Sequence, residues 1–258
     1  MKIANVVILD KPGEPFYDSP SSFRIIVLLQ TISKIMERIV ASRLSAIARY
    51  ICLLHRNQCG SLPSLSSFDA CTSIALTATV CTLHRPALKV SSLFLDIKGG
   101  FDNVDADILC SSLRSKGVDH YLISWVRFFL TGRSCRLLFQ GSPRIFSLVS
   151  IGTPQGSPVS PLLFVIYVVP SHIPLSWGLV LSYVDDFSLT VSSHSYHSNS
   201  RSLQAAFGRI RAIAHSRQAD FSVPKTELIH WLTRSQRDPP GAPRPPPVAL
   251  DSQIFHPC

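Results

Sequence analysis

The chain is poor in charge, and poorest in negative charge. Of its 258 residues 16% are Asp, Glu, Lys or Arg, with 16 acidic against 25 basic side chains and a formal net charge of +9. So little charge beside a 46% apolar share excludes a disordered chain. The length is that of one large domain or two small ones, ample for a buried core. The basic excess points to a polyanionic partner, most simply nucleic acid. Among the seven cysteines no two stand as C-x-x-C, and their number is odd. A disulfide framework and a zinc ribbon are therefore excluded, no disulfide partner is expected, and a reducing, intracellular compartment is favoured. A long apolar run is missing too. Residues 145–184 hold no Asp, Glu, Lys or Arg, yet the longest purely apolar stretch, Leu162 to Val169, is too short to span a bilayer, and five prolines punctuate the rest. No membrane segment is expected. The start, Met1 to Leu9, runs directly into Asp10-Lys11-Pro12-Gly13 and lacks the layout of a secretion signal.

What is present reads as strands interleaved with helices without regular alternation, an α+β pattern. Ala4 to Leu9 is a short strand ended by a Lys-Pro-Gly turn. From Thr31, Ile32, Ile35, Met36, Ile39, Val40 and Leu44 recur at helical spacing, with Lys34, Glu37, Arg38 and Arg43 mostly opposite. A second helix opens with Asp69 as its N-cap and runs to about Leu83. Leu93-Phe94-Leu95 reads as a strand buried on both faces and ending in Asp96. Helices follow over 104–116, closed by Gly117, and around Leu122, Trp125, Val126 and Phe129. Strands are expected over 135–139 and 145–149, and a helix begins at Ser160-Pro161. Two more strands, 179–183 and 187–191, flank Asp185-Asp186 as a tight hairpin. A helix around Leu203, Phe207 and Ile210 and a strand over 227–231 complete the pattern. The Pro-rich stretch from Pro239 onward reads as an unpacked tail.

The carboxylates carry the chemistry. A strand ending in Asp96 and a hairpin carrying Asp185-Asp186, placed in one sheet, bring three acids together. Such a cluster is costly unless cations offset the repulsion. Mg²⁺ takes hard oxygen ligands and keeps positions open for phosphate, and two such ions can clamp the attacking and leaving oxygens of a phosphoryl transfer. A lone Asp-Asp in a hairpin is equally well a turn feature; its neighbours decide.

Residues 94–102, Phe-Leu-Asp-Ile-Lys-Gly-Gly-Phe-Asp, resemble the first palm motif of reverse transcriptases. Residues 153–164, beginning Thr-Pro-Gln-Gly-Ser-Pro, are similar to the second, Tyr183-Val184-Asp185-Asp186 to the third, and Lys225-Thr226-Glu227-Leu228 to the fourth. Upstream, residues 23–29 and 33–37 resemble the finger region of non-LTR (LINE-type) retrotransposon polymerases. The motifs stand in the family's order.

The resemblance implies a right-hand polymerase: a palm of antiparallel sheet with helices packed on one face, plus fingers, with the thumb absent. It divides the chain into fingers over 1–95, palm over 96–232 and a disordered tail over 233–258. It implies two Mg²⁺ ions, with Mn²⁺ a possible substitute, held by Asp96 and Asp185 with Asp186 as third carboxylate. Phe101 would lie under the incoming sugar, and Gln155 and Gly156 would meet nucleotide. Lys225, Arg24 and Lys11 would neutralise phosphate. RNA template, DNA primer and dNTP are the implied partners, and nucleus or cytoplasm the implied location.

Three departures point to a weakened grip on substrate. Residues 60–67 carry no basic side chain where this family has a Gly-Phe-Arg-Pro-Gly-Arg-Ser-like stretch. Ile25 replaces the usual Pro, and neither thumb nor endonuclease is expected. A catalytically inactive relic that only binds nucleic acid is the alternative reading.

Overall fold

The computed structural model describes residues 3–13, 16–19, 22–61, 65–84, 86–139, 142–147, 151–168, 178–231, 246–250 and 253–257. In chain order the elements are β1 (Ile3–Asp10), β2 (Phe23–Leu28), α1 (Thr31–Tyr50), β3 (Gln58–Cys59), α2 (Ser67–Leu83) and β4 (Lys89–Lys98). A 3-10 turn over Gly100–Asn103 leads to α3 (Ala106–Ser115), α4 (His120–Leu130), β5 (Ser134–Phe139), β6 (Ser142–Ser147) and α5 (Ser160–Val168). Then follow β7 (Gly178–Tyr183), β8 (Asp186–Ser193), α6 (Tyr196–His215), β9 (Asp220–Phe221), β10 (Glu227–Trp231), β11 (Val248–Leu250) and β12 (Gln253–Phe255).

These elements gather into two compact units, each built from two stretches of chain: 1–54 with 99–167, and 55–98 with 168–258. Strand β4 finds its hydrogen-bond partners more than eighty residues downstream, in β8 and β10, within the same unit.

The first unit holds a four-stranded sheet in the order β2-β1-β5-β6, with β1 and β5 parallel and the other pairs antiparallel. Its small core is Val6, Val27 and Cys135, flanked by Ala4, Leu29 and Leu137. Helices α3 and α4 pack on each other. Their starts are set by Asp105, whose carboxylate accepts from the backbone N–H of Asp107 and Ile108, and by Asp119, which accepts from that of Tyr121. Gly117, at φ +79°, closes α3 as its sequence suggests.

Helix α1 spans the expected residues but turns a different face inward. Glu37, Val40, Leu44 and Ala48 are buried, whereas Ile32, Ile35, Met36 and Ile39 are exposed. Apolar spacing tells which residues share a face; the packing partner tells which face is buried. Here the inward row includes a carboxylate because Ser157 donates a hydrogen bond to it.

The second unit is a sheet in the order β10-β4-β8-β7-β3, antiparallel except for β3 beside β7, with β9 pairing the end of β4. Val90, Ser91, Ser92 and Leu93 are fully buried, so the middle of β4 is covered on both faces. One cover is α6: Phe207 packs on Phe221, which meets Phe187, and Asn199 donates to the Ser91 hydroxyl. The other is α2, whose Ala70 clusters with Cys59 and Leu181. Leu181 and Phe187 lie on opposite faces, since the residue opposite Phe187 is Ser182. The expected helical cover on one face is supplied by α6, and α2 adds cover on the other.

Two local expectations change. The cap of α2 is Ser66 rather than Asp69. Asp69 occupies the third helical position and its carboxylate accepts from the Ser66 N–H at 2.7 Å, while the Ser66 hydroxyl accepts from the Asp69 N–H, a reciprocal capping box. The expected tail is partly ordered: Val248 and Leu250 alternate with exposed Ala249 and are buried as one face of the β11–β12 pair, next to α6. The alternation makes a one-sided apolar strand, which stabilises by burial. Tail residues 233–245, 251, 252 and 258, and residues 148–149 of the expected strand, lie outside the described residues. Among the described residues no helix is long and apolar enough to cross a membrane.

Two outcomes are expected. Leu250→Ala should cost about 2–5 kcal/mol in urea denaturation; an unpacked segment would show almost no change. Burial raises the Glu37 carboxyl above its ordinary value of 4.5, offset only in part by the Ser157 hydroxyl and Lys34. A folded pKa above the unfolded one gives stability that is full below the unfolded value and lost as pH rises through the folded one. Across that rise the protein should lose stability relative to Glu37→Gln; parallel pH profiles in denaturation would contradict it.

Candidate active site

Antiparallel pairing of β4 with β8 sets Asp96 directly opposite Asp186. Facing partners share one face of a sheet, so both carboxylates start from the same side. Asp185 is the second of the two residues of the β7–β8 turn, and its carbonyl accepts from the Ile97 N–H at 3.2 Å, beside Asp96. Burial raises the Asp185 carboxyl, its own backbone N–H offsets this, and the Asp96 charge adds to the rise. Asp186 is raised by burial first, then by Asp185 and Asp96. Lys225 opposes both shifts, and its ammonium donates to Asp96 Oδ2 at 3.1 Å. The three carboxylates expected to gather, Asp96, Asp185 and Asp186, thus meet at one end of the sheet, with Lys225 beside them.

Asp96, Asp186 and Lys225 line a cleft of about 260 Å³, walled by α2 at Ala70, Cys71 and Ile74. The donor set is hard carboxylate oxygen under mutual repulsion, which suits Mg²⁺. It is not a ready-made cage: among the described residues no group of three His, Cys, Asp or Glu side chains is placed to hold a metal ion. Every described cysteine is a free thiol.

The turn that carries Asp185 is strained and supported from below. Val184 has φ +58°, a conformation that β-branched residues avoid. Its N–H donates to the Cys59 carbonyl at 3.3 Å. Gly60, at φ +77°, lies so close that a Cβ there would be 2.9 Å from Val184 Cγ2. Gln58 is fully buried: it accepts from the Ser182 hydroxyl and donates to the Cys59 carbonyl at 2.8 Å, while Asn57 donates to the Val180 carbonyl. Sequence reading missed these supports. The one signal was a Gln after His55-Arg56-Asn57 with a glycine two places on, which marks a loop as readily as a buried brace.

The remaining expected residues belong to the first unit. The Phe101 ring is half-buried and stacks on Phe164 at 4.8 Å between centroids. The Gln155 carbonyl accepts from the Val27 N–H at 2.8 Å, and Gly156, at φ +109°, backs onto the Val27 carbonyl where a Cβ would not fit. Asp102, which sequence reading left without a role, is hydrogen-bonded to the Gln155 side chain. Burial raises its carboxyl, and Gln155 and Lys11 offset the rise. Lys11, Asp102 and Gln155 therefore form a second group. Arg24 is exposed on β2. His194 and His197 flank the Ser195 cap of α6.

A family model described as reverse transcriptase (RNA-dependent DNA polymerase) matches residues 9–244. The chain belongs to that family. Its curated relatives are retrotransposon polymerases, as the motifs of the non-LTR type imply. It is 28% identical over 210 residues to the probable RNA-directed DNA polymerase from transposon BS of Drosophila melanogaster, covering 79% of this chain and 23% of that protein. To the RNA-directed DNA polymerase from mobile element jockey of the same organism it is 26% identical over 245 residues, 91% of this chain and 26% of that protein. This reverse transcriptase domain thus spans about a quarter of the length of those relatives. Among solved structures it is similar to apo telomerase from Candida Tropicalis, with a TM-score of 0.63 at 13% identity over 99% of this chain and 47% of that one. At that identity the likeness is one of fold: a polymerase palm with fingers.

Gly60→Ala should lower stability by at least about 1–2 kcal/mol, because a Cβ disfavours left-handed backbone and would also press on Val184. A denaturation midpoint equal to that of the unaltered chain would refute this brace.

Proposed function

We propose that this domain performs RNA-directed DNA synthesis, joining a dNTP to a primer 3′-hydroxyl on an RNA template. The observation that carries the reading is the strand pairing that sets Asp96 opposite Asp186 with Asp185 at the adjoining turn. In the reaction the primer oxygen attacks the α-phosphate and pyrophosphate leaves. Asp96 and Asp185 would hold two Mg²⁺ ions, or Mn²⁺ in their place, with Asp186 as third carboxylate. When bound, the ions lower the pKa of the attacking hydroxyl and offset charge on the attacking and leaving oxygens.

The protein's own groups bind and orient. Lys225, within reach of Asp96, supplies positive charge for the triphosphate, as Lys11 does beside Asp102; Arg24, exposed on β2, meets template phosphate. The exposed part of the Phe101 ring presents a flat apolar face to the sugar and leaves no room for a 2′-hydroxyl. Its stacking on Phe164 limits how far that face can tilt. The Gln155 amide and the Gly156 backbone offer hydrogen bonds to nucleotide from a loop fixed on β2. The free thiols suit an intracellular site of action, in nucleus or cytoplasm.

A second reading, a relic that binds nucleic acid without catalysis, is favoured by the lack of basic side chains in 60–67. Primer extension on an RNA template with Mg²⁺ separates the two. Extension that falls about a thousandfold in Asp185→Ala, equivalent to about 4 kcal/mol of barrier, is the expected result. Salt-sensitive RNA binding with no extension by either protein would establish the relic.

A further inference from the structure

Glu37 is 3% exposed, and its partner Ser157 is 4% exposed. The Ser157 hydroxyl donates to Glu37 Oε2 at 2.5 Å and accepts from the Val159 N–H at 3.2 Å. Ser157 directly follows the Gln155-Gly156 pair. On the near side of that pair the loop is tied to β2 through the Gln155 carbonyl and the Val27 N–H. On the far side its side-chain tie is Ser157 to Glu37, on α1. Between the two ties stands Gly156, whose φ of +109° leaves the backbone free to pivot if either lets go.

We propose that Glu37 is a positioning residue for nucleotide binding: through Ser157 it holds the loop so that Gln155 and Gly156 present a fixed surface. This rests on the nucleotide role given to that loop under the proposed function. A buried carboxylate is a costly way to make a merely structural contact, since an apolar side chain would fill the same space on α1 with less desolvation. Its use here fits a demand for direction, because a hydrogen bond fixes the Ser157 rotamer and apolar packing does not.

The test compares Glu37→Met, which removes the acceptor at similar volume, with Glu37→Gln, which keeps one. Val40→Ala serves as a control for destabilisation on the same buried face of α1. Hydrogen exchange is read at the amides of Gln155, Gly156, Ser157 and Val159. Glu37→Met should speed it about tenfold or more, Glu37→Gln should stay near the unaltered chain, and Val40→Ala should leave these amides slow when compared at equal global stability. In primer extension Glu37→Met should raise KM for dNTP about tenfold with kcat within about threefold, and Glu37→Gln should keep KM near that of the unaltered chain. Equal exchange in Glu37→Met and Val40→Ala, or an unchanged KM, overturns the inference. If the unaltered chain extends no primer, the functional reading fails on its own, and the exchange pattern still decides whether Glu37 anchors the loop.

Discussion

The acidic cluster of this domain depends on the register between β4 and β8. A strand pair shifted by one residue would send Asp96 to the opposite face from Asp186 and disperse the acids. What holds the register is apolar and lies further along the same strands. Leu93, Leu95, Phe187 and Leu189 are each almost fully buried, at about 1.5–3 kcal/mol per side chain. That burial works against the repulsion among three carboxylates, which Lys225 also offsets. A stable sheet interior thus carries an unfavourable cluster at its end, where charge is wanted.

Support of the Asp185 turn follows the same logic at shorter range. A valine in left-handed backbone persists only where its surroundings over-determine it. Here the surroundings are a two-residue strand, β3, a fully buried Gln58 that satisfies both ends of its amide, and a glycine that lets the chain pass under Val184. These braces lie more than a hundred residues from the turn they hold. They also explain why a glycine stands at position 60: its left-handed backbone and missing side chain serve the hairpin.

How much of this was legible depended on whether a signal was local. The motifs of the family are short runs tied to one strand end, one turn or one loop, so Asp96, Asp185, Asp186, Phe101, Gln155 and Lys225 could be proposed as site candidates from the chain alone. Helix starts at Asp105 and Asp119 and the stop at Gly117 are equally local. The failures were long-range. Glu37 belonged with the polar side of α1 by spacing, yet it is buried because Ser157 needs an acceptor. Val248 and Leu250 looked like the end of a tail because nothing nearby in sequence shows that α6 lies next to them. Asp102 gained a partner only when the loop at Gln155 came back beside it.

By itself the sequence determined the family and most element boundaries, because those depend on residue type and on spacing within a few positions. The tertiary structure decided which units form, which face of α1 turns inward, and which buried polar groups brace the turn and the loop. Those outcomes turn on which distant segments meet, and a buried polar side chain takes its role from a partner that only the folded chain supplies.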